Sequence, residues 1–201
     1  MNPRVALASI VAAAVVLGGV LVIALSRDEQ NAAPPTAATG YAGALLPRGV
    51  RAPDFRLRDD RGRAISMRGF RGRPVLVTFL YTTCKESCPG MAQTARGALD
   101  DLGHDVPAIA IAVDPPRDTP ARARAFLAKQ QALGRLRFVL GTRAQLRPLW
   151  KGYAIQPQSV AQEHQARFVI VDKRGYQRIG FPGQEATPDR LAHDLRLLER
   201  Q

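Results

Sequence analysis

Residues 75–91 read VLVTFLYTTCKESCPGM, and their order decides the fold. Val75 to Tyr81 is an unbroken run of β-branched, aliphatic and aromatic residues, the pattern of a strand covered on both faces. The apolar run stops at Thr82, two cysteines follow within five positions, and Pro89 suits the first turn of a helix. Beyond it, Met91, Ala95, Ala98, Leu99 and Leu102 recur at helical spacing, with Gly103 as a natural stop. A buried strand therefore feeds a helix through a loop carrying both cysteines of the chain.

Outward from this unit the pattern repeats. Phe55 and Leu57 alternate with polar residues, Asp59-Asp60-Arg61-Gly62 is turn-like, and Ala64 to Met67 can return as a hairpin partner. Ala108 to Val113 is a second buried strand. Thr119-Pro120 and Thr187-Pro188 each place a capping hydroxyl before a proline, predicting helices from there to about Leu133 and to the C-terminus. Between them lie a short strand at Arg137 to Leu140 and a short helix at Ala144 to Trp150. A hairpin follows, Phe168 to Val171 and Tyr176 to Phe181 about a turn at 172–175. Strands alternating with helices and closing on a hairpin plus helix predict an α/β sheet of thioredoxin type with an N-terminal β-hairpin extension.

Ahead of this body, Val5 to Leu25 carries no charge and is long enough to cross a bilayer as a helix. The expected organisation is a cytoplasmic stub at 1–4, a single transmembrane helix at 5–25, a periplasmic linker at 26–45 and a folded domain at 46–201. Arg4 alone precedes the apolar run, too few cations for a mitochondrial transit peptide, so a bacterial inner membrane with the C-terminal domain in the periplasm is expected. The formal net charge is +12. Its basic residues are scattered, with no run of five and no aromatic interleaving, which argues against nucleic acid.

The chain has two cysteines, and their position favours chemistry. A helix N-terminus offers unpaired N–H groups and partial positive charge, which stabilise thiolate, the form that attacks disulfides and binds metal. Four-residue spacing allows a disulfide and also allows the sulfurs to splay around an ion. A structural disulfide closing so small a loop would add little stability. His164, in a polar stretch just before the Phe168 strand, is a third candidate donor. His104, after a helix end, and His193, on the C-terminal helix, read as surface residues.

With these residues in view, the sequence resembles the Sco/SenC family, copper proteins that help assemble the binuclear copper centre of cytochrome c oxidase. The resemblance runs from about Pro53 to Arg200 through PDFRLRDDRG (53–62), GRPVLVTFLYTTCKESCP (72–89), AVDPPRDTP (112–120) and EHQARFVIVDKRG (163–175). It implies copper held by Cys84, Cys88 and His164. It also implies an oxidase subunit as receiver and a periplasmic copper donor or thiol reductant as a further partner. Thioredoxins carry a cis-proline ahead of the strand facing their cysteines, where this chain has His164-Gln165-Ala166. Lys85 stands where many relatives have proline, which alters loop charge and removes no ligand. Met91 fits the apolar face of its helix better than a ligand role. Two thiolates and an imidazole suit Cu(I) and Cu(II), although zinc takes the same donors with a fourth. The competing expectation is a thiol–disulfide reductase that needs Cys84 and Cys88 as a redox-active pair and has no use for His164. A peroxidase reading is weakened by Tyr81, which replaces the threonine that peroxiredoxins place three residues before their cysteine.

Overall fold

The structure is a computed structural model that describes residues 40–156 and 166–201. The expected anchor at 5–25, most of the linker and His164 lie outside the described residues.

Among the described residues, eight strands form one sheet: β1 (Ala44–Leu45), β2 (Arg56–Asp59), β3 (Ala64–Ser66), β4 (Val75–Leu80), β5 (Ala108–Ala112), β6 (Arg137–Leu140), β7 (Arg167–Val171) and β8 (Gln177–Pro182). Their spatial order is β1-β8-β7-β4-β5-β6-β2-β3. The apolar run predicted for β4 fits its place: every one of its residues is buried, with β5 parallel on one side and β7 antiparallel on the other. A strand with neighbours on both edges and cover on both faces has no room for polar alternation. Thr78 is the exception, and its hydroxyl donates to the Arg167 carbonyl at 3.1 Å, so burying it leaves no unmet donor.

Among the described residues, four α-helices connect and cover the sheet: α1 (Ser87–Leu102), α2 (Pro120–Lys129), α3 (Arg143–Gly152) and α4 (Pro188–Glu199). α1 and α4 pack against one another. A Cβ on Gly97 would lie 3.0 Å from Cγ of Pro188, so glycine sets how closely the two helices approach. α2 stops at Lys129, short of the expected Leu133. Gln131 adopts a left-handed φ of 56°, and the Ala132 N–H turns back to the Leu127 carbonyl. The chain must reverse here to start β6 parallel to β5, and that need overrides the helix propensity of the sequence.

The hairpin β2–β3 is fastened by its turn. Asp59 accepts from the N–H groups of Arg61 and Arg63 at 3.0 and 2.8 Å and from Arg137 Nε at 3.0 Å. Asp60 accepts from the Phe138 N–H at 3.0 Å. Two adjacent aspartates thus close the turn and tie it to β6. At the other edge, the end of the expected linker joins the body. Ala44 and Leu45 pair with Gly180 and Ile179 as β1, and Asp194 of α4 accepts from the N–H groups of Ala42 and Gly43 at 2.7 and 2.9 Å.

Candidate metal centre

β4 ends at Leu80, and the next six residues carry the chain to α1. A turn closes first, with the Cys84 N–H donating to the Tyr81 carbonyl at 3.3 Å. α1 begins at Ser87, so Cys88 is its second residue. The capping position belongs to Glu86, whose side chain makes no capping hydrogen bond. The sulfur of Cys84 takes that part instead, accepting from the Cys88 N–H at 3.2 Å. The Ser87 hydroxyl lies 3.8 Å from the same sulfur.

The two cysteines are not joined by a disulfide, and both are buried, Cys88 completely. Their environments drive them apart. Cys84 is lowered from 9.0 to about 4, first because the Cys88 thiol donates to it. Burial opposes this, while the N–H groups of Cys88 and Glu86 and the Tyr81 hydroxyl add to it. Cys88 moves strongly upward, because its proton is held by Cys84 and because it is buried. The reduced pair is therefore one thiolate and one thiol sharing a proton between sulfurs. Thiolate is both the nucleophile of disulfide exchange and the form that ligates metal.

A second loop supports the first. Asp118, buried after β5, accepts from the Thr82 N–H at 2.7 Å and from the Asp114 N–H at 3.0 Å. Its carboxyl is raised to about 6 by burial, partly offset by these N–H donors. Arg117 Nε donates to Asp114, covering the outer carboxylate of the pair. One buried side chain thus joins the loop before Cys84 to the loop between β5 and α2. Sequence reading singled out the segment that holds Asp118 and assigned it no role; the phenol of Tyr81 was likewise not foreseen as a donor to Cys84.

The remaining candidates separate cleanly. Met91 is buried on α1 among core residues. His104 meets Glu199 at 2.8 Å and the Leu102 carbonyl at 2.9 Å, and His193 meets the Gly40 carbonyl at 3.0 Å, so both belong to the surface of α1 and α4. No three His, Cys, Asp or Glu among the described residues are arranged to hold a metal. Ala166, two residues after His164 in the sequence, lies directly before β7. Because β7 runs antiparallel to β4 with Phe168 opposite Thr78, Ala166 lies at the end of the sheet from which the cysteine loop departs. No cis peptide bond occurs among the described residues.

The SCO1/SenC family model matches residues 46–199. The chain belongs to the SCO1/SenC family. Protein SenC of Rhodobacter capsulatus is 27% identical over 204 residues, covering 94% of this chain and 87% of that one. Among solved structures, Bradyrhizobium japonicum ScoI with copper bound is 28% identical with a TM-score of 0.64, covering 74% of this chain and 99% of its own. BsSco, a member of the Sco family of cytochrome c oxidase assembly proteins in which a disulfide switch is described, has a TM-score of 0.67 at 23% identity, covering 78% of this chain and 98% of its own. These neighbours confirm the thioredoxin-like α/β architecture expected for the body. Among the described residues no helix is long and apolar enough to cross a membrane.

Proposed function

We propose that this SCO1/SenC protein is a copper carrier that delivers its metal to the binuclear copper site of a cytochrome c oxidase subunit. Cys84, Cys88 and His164 are the proposed ligands. The observation that carries the reading is the paired sulfurs, one already thiolate at neutral pH, at the head of α1. Soft sulfur donors suit Cu(I), and an imidazole extends the set toward Cu(II). The likeness to ScoI with copper bound supports copper over zinc. Binding the metal through both sulfurs displaces the proton that Cys88 holds.

His164 stands two residues before Ala166, so at most about 7 Å can separate their Cα atoms, and Ala166 sits at the cysteine end of the sheet. The anchor is proposed at residues 5–25 in a bacterial inner membrane, with the body periplasmic and supplied by a copper donor or thiol reductant there. The apolar run and the family relation support this placement.

The test is titration of the full chain, reduced and in neutral detergent micelles, with Cu(I) and Cu(II), beside His164→Ala. One equivalent should bind, and the substitution should weaken Cu(II) by at least about tenfold, as loss of one ligand does. Unchanged Cu(II) affinity would remove His164 from the ligand set, and no binding by the parent would end the carrier reading.

The thiolate–thiol pair also favours a second reading, thiol–disulfide exchange that keeps the receiving cysteines reduced. There Cys84 attacks a disulfide sulfur, the other sulfur leaves as thiolate, and Cys88 resolves the mixed disulfide. Cys88→Ser should then trap a mixed disulfide with the oxidase domain, and His164→Ala should leave the trapping intact.

A further inference from the structure

α3 reads RAQLRPLWKG and contains no acidic residue. Arg143, Arg147 and Lys151 recur every four positions, which stacks them along one side of the helix. All three are exposed, and none takes part in any ion pair among the described residues. The arrangement is unfavourable in isolation. Like charges four apart repel, and Arg143 at the first helical position opposes the positive end of the helix dipole. The Arg143 guanidinium lies 6.0 Å from the centroid of the Trp150 ring.

The three cations line a groove of about 470 Å³ whose other walls are Trp150 and Ile155. Its position ties it to the cysteines. The Trp150 indole N–H donates at 2.9 Å to the carbonyl of Ala112, the last residue of β5. Ala112 is paired with Leu80, the last residue of β4 before the cysteine loop. The groove therefore borders the end of the sheet at which metal or thiol exchange takes place.

We infer that the basic side of α3, floored by the buried Trp150 and Ile155, is the docking surface for an acidic segment of a partner protein. It rests on the carrier reading only in taking that partner to be one that gives or receives copper. Three cations with no ion pair among the described residues, set above the buried Trp150 and Ile155, match protein interfaces in which Arg is enriched and rim charges steer the encounter. An acidic partner would relieve the repulsion along α3 and arrive at the end of the sheet from which the cysteine loop departs.

Trp150 is the one tryptophan of the chain, so its fluorescence reports this groove alone. The full chain in neutral detergent micelles is titrated with a poly-glutamate peptide at low and high salt. The same is done for R143Q/R147Q/K151Q and for a control, R48Q/R174Q/R178Q, in which the same charge is removed around the turn at the opposite end of β7. The expected result is a saturable, salt-sensitive fluorescence change that the α3 variant weakens about tenfold and the control leaves within about twofold, three rim pairs being worth roughly that much. Equal losses in both variants would mean bulk charge attraction and overturn the proposal, as would no loss in the α3 variant. Binding to phosphatidylglycerol vesicles that needs the α3 cations, with peptide binding indifferent to them, would overturn it in favour of a lipid surface. Copper binding is read separately on all three proteins and should not change. A parent protein that binds no copper would sink the carrier reading and leave the docking result standing.

Discussion

The backbone N–H of Cys88 points at the sulfur of Cys84, 3.2 Å away, so the first cysteine caps the helix that carries the second. An anion at this position gains from the helix dipole and from a charge-assisted hydrogen bond. The cap is therefore good only while Cys84 is ionised. Folding lowers Cys84 from 9.0 to about 4, so the unfolded chain holds a proton there that the folded chain has lost. Stability from this group is lost as pH falls through about 4 and grows toward 9. Cys88, shifted upward, contributes with the opposite sign above 9. Urea unfolding of the reduced protein between about pH 5 and pH 8 should show an advantage over Cys84→Ser that widens with pH. A constant difference would mean that the sulfur is not charged in the folded state.

Asp118 gives a second pH signature of opposite direction. Its carboxyl is raised from 3.8 to about 6 by burial. Stability from it is fully present below 3.8 and is lost as pH rises through 6. Asp118→Asn keeps one acceptor for the Thr82 or Asp114 N–H and leaves the other without a partner, at a cost of about 1–3 kcal/mol. That cost should be largest near pH 4 and smaller above 6, where the parent bears a buried charge that asparagine lacks. Thiolate absorbance of Cys84 should also titrate at higher pH in the variant if Asp118 holds the cysteine loop through Thr82. An unmoved thiolate curve would confine Asp118 to fold stability.

What the sequence made legible follows from how local each signal was. β4, α1 and the cysteine loop could be read because a buried strand, a proline and a helical apolar spacing lie next to one another in the chain. The Thr119-Pro120 start was legible for the same reason, and its hydroxyl does accept from the Arg122 N–H. The end of α2 was not, because it is imposed by the need to start β6 and not by any residue before Gly134. Asp118 and Tyr81 escaped notice as site residues because their partners come from another loop or from a change of charge on a sulfur, neither of which a spacing encodes. β1 escaped because two residues carry no periodicity; they are a strand only because β8 lies beside them.

Asp59 was read as part of a turn, and the structure adds a load on it that the turn alone does not imply. It accepts from two backbone N–H groups of its own turn and from Arg137 on β6. Burial works against its charge, and these donors outweigh it, first among them the Arg63 N–H, so its carboxyl sits below the ordinary 3.8. Stability from Asp59 is therefore present above about pH 4 and lost on acidification through its folded value. Asp59→Ala should cost about 2–4 kcal/mol at neutral pH, since it strands several donors at once. The cost should shrink in acid, as denaturant melts at both pH values would show. Copper binding should survive, because the hairpin lies across β6 and β5 from the cysteine strand.

Asp194 decides where the folded body begins. Its partners, the N–H groups of Ala42 and Gly43, are more than a hundred and fifty residues away in sequence, so no reading of local pattern could separate this stretch from a linker. The carboxylate is fully buried, and its carboxyl is raised by that burial with the two N–H donors pulling the other way. A side chain held at such a cost is an anchor for the strand that follows. Asp194→Ala should remove both acceptors and unzip β1 from β8, because two paired residues cannot hold an edge strand alone. Amide exchange at Ala42 and Gly43 should then accelerate by at least about tenfold, each lost hydrogen bond being worth about 1 kcal/mol or more. Exchange in β4 and α1 should stay slow. If Ala42 and Gly43 exchange no faster in the variant, the edge pairing of Ala44 and Leu45 holds the segment by itself, and the domain boundary does not depend on α4.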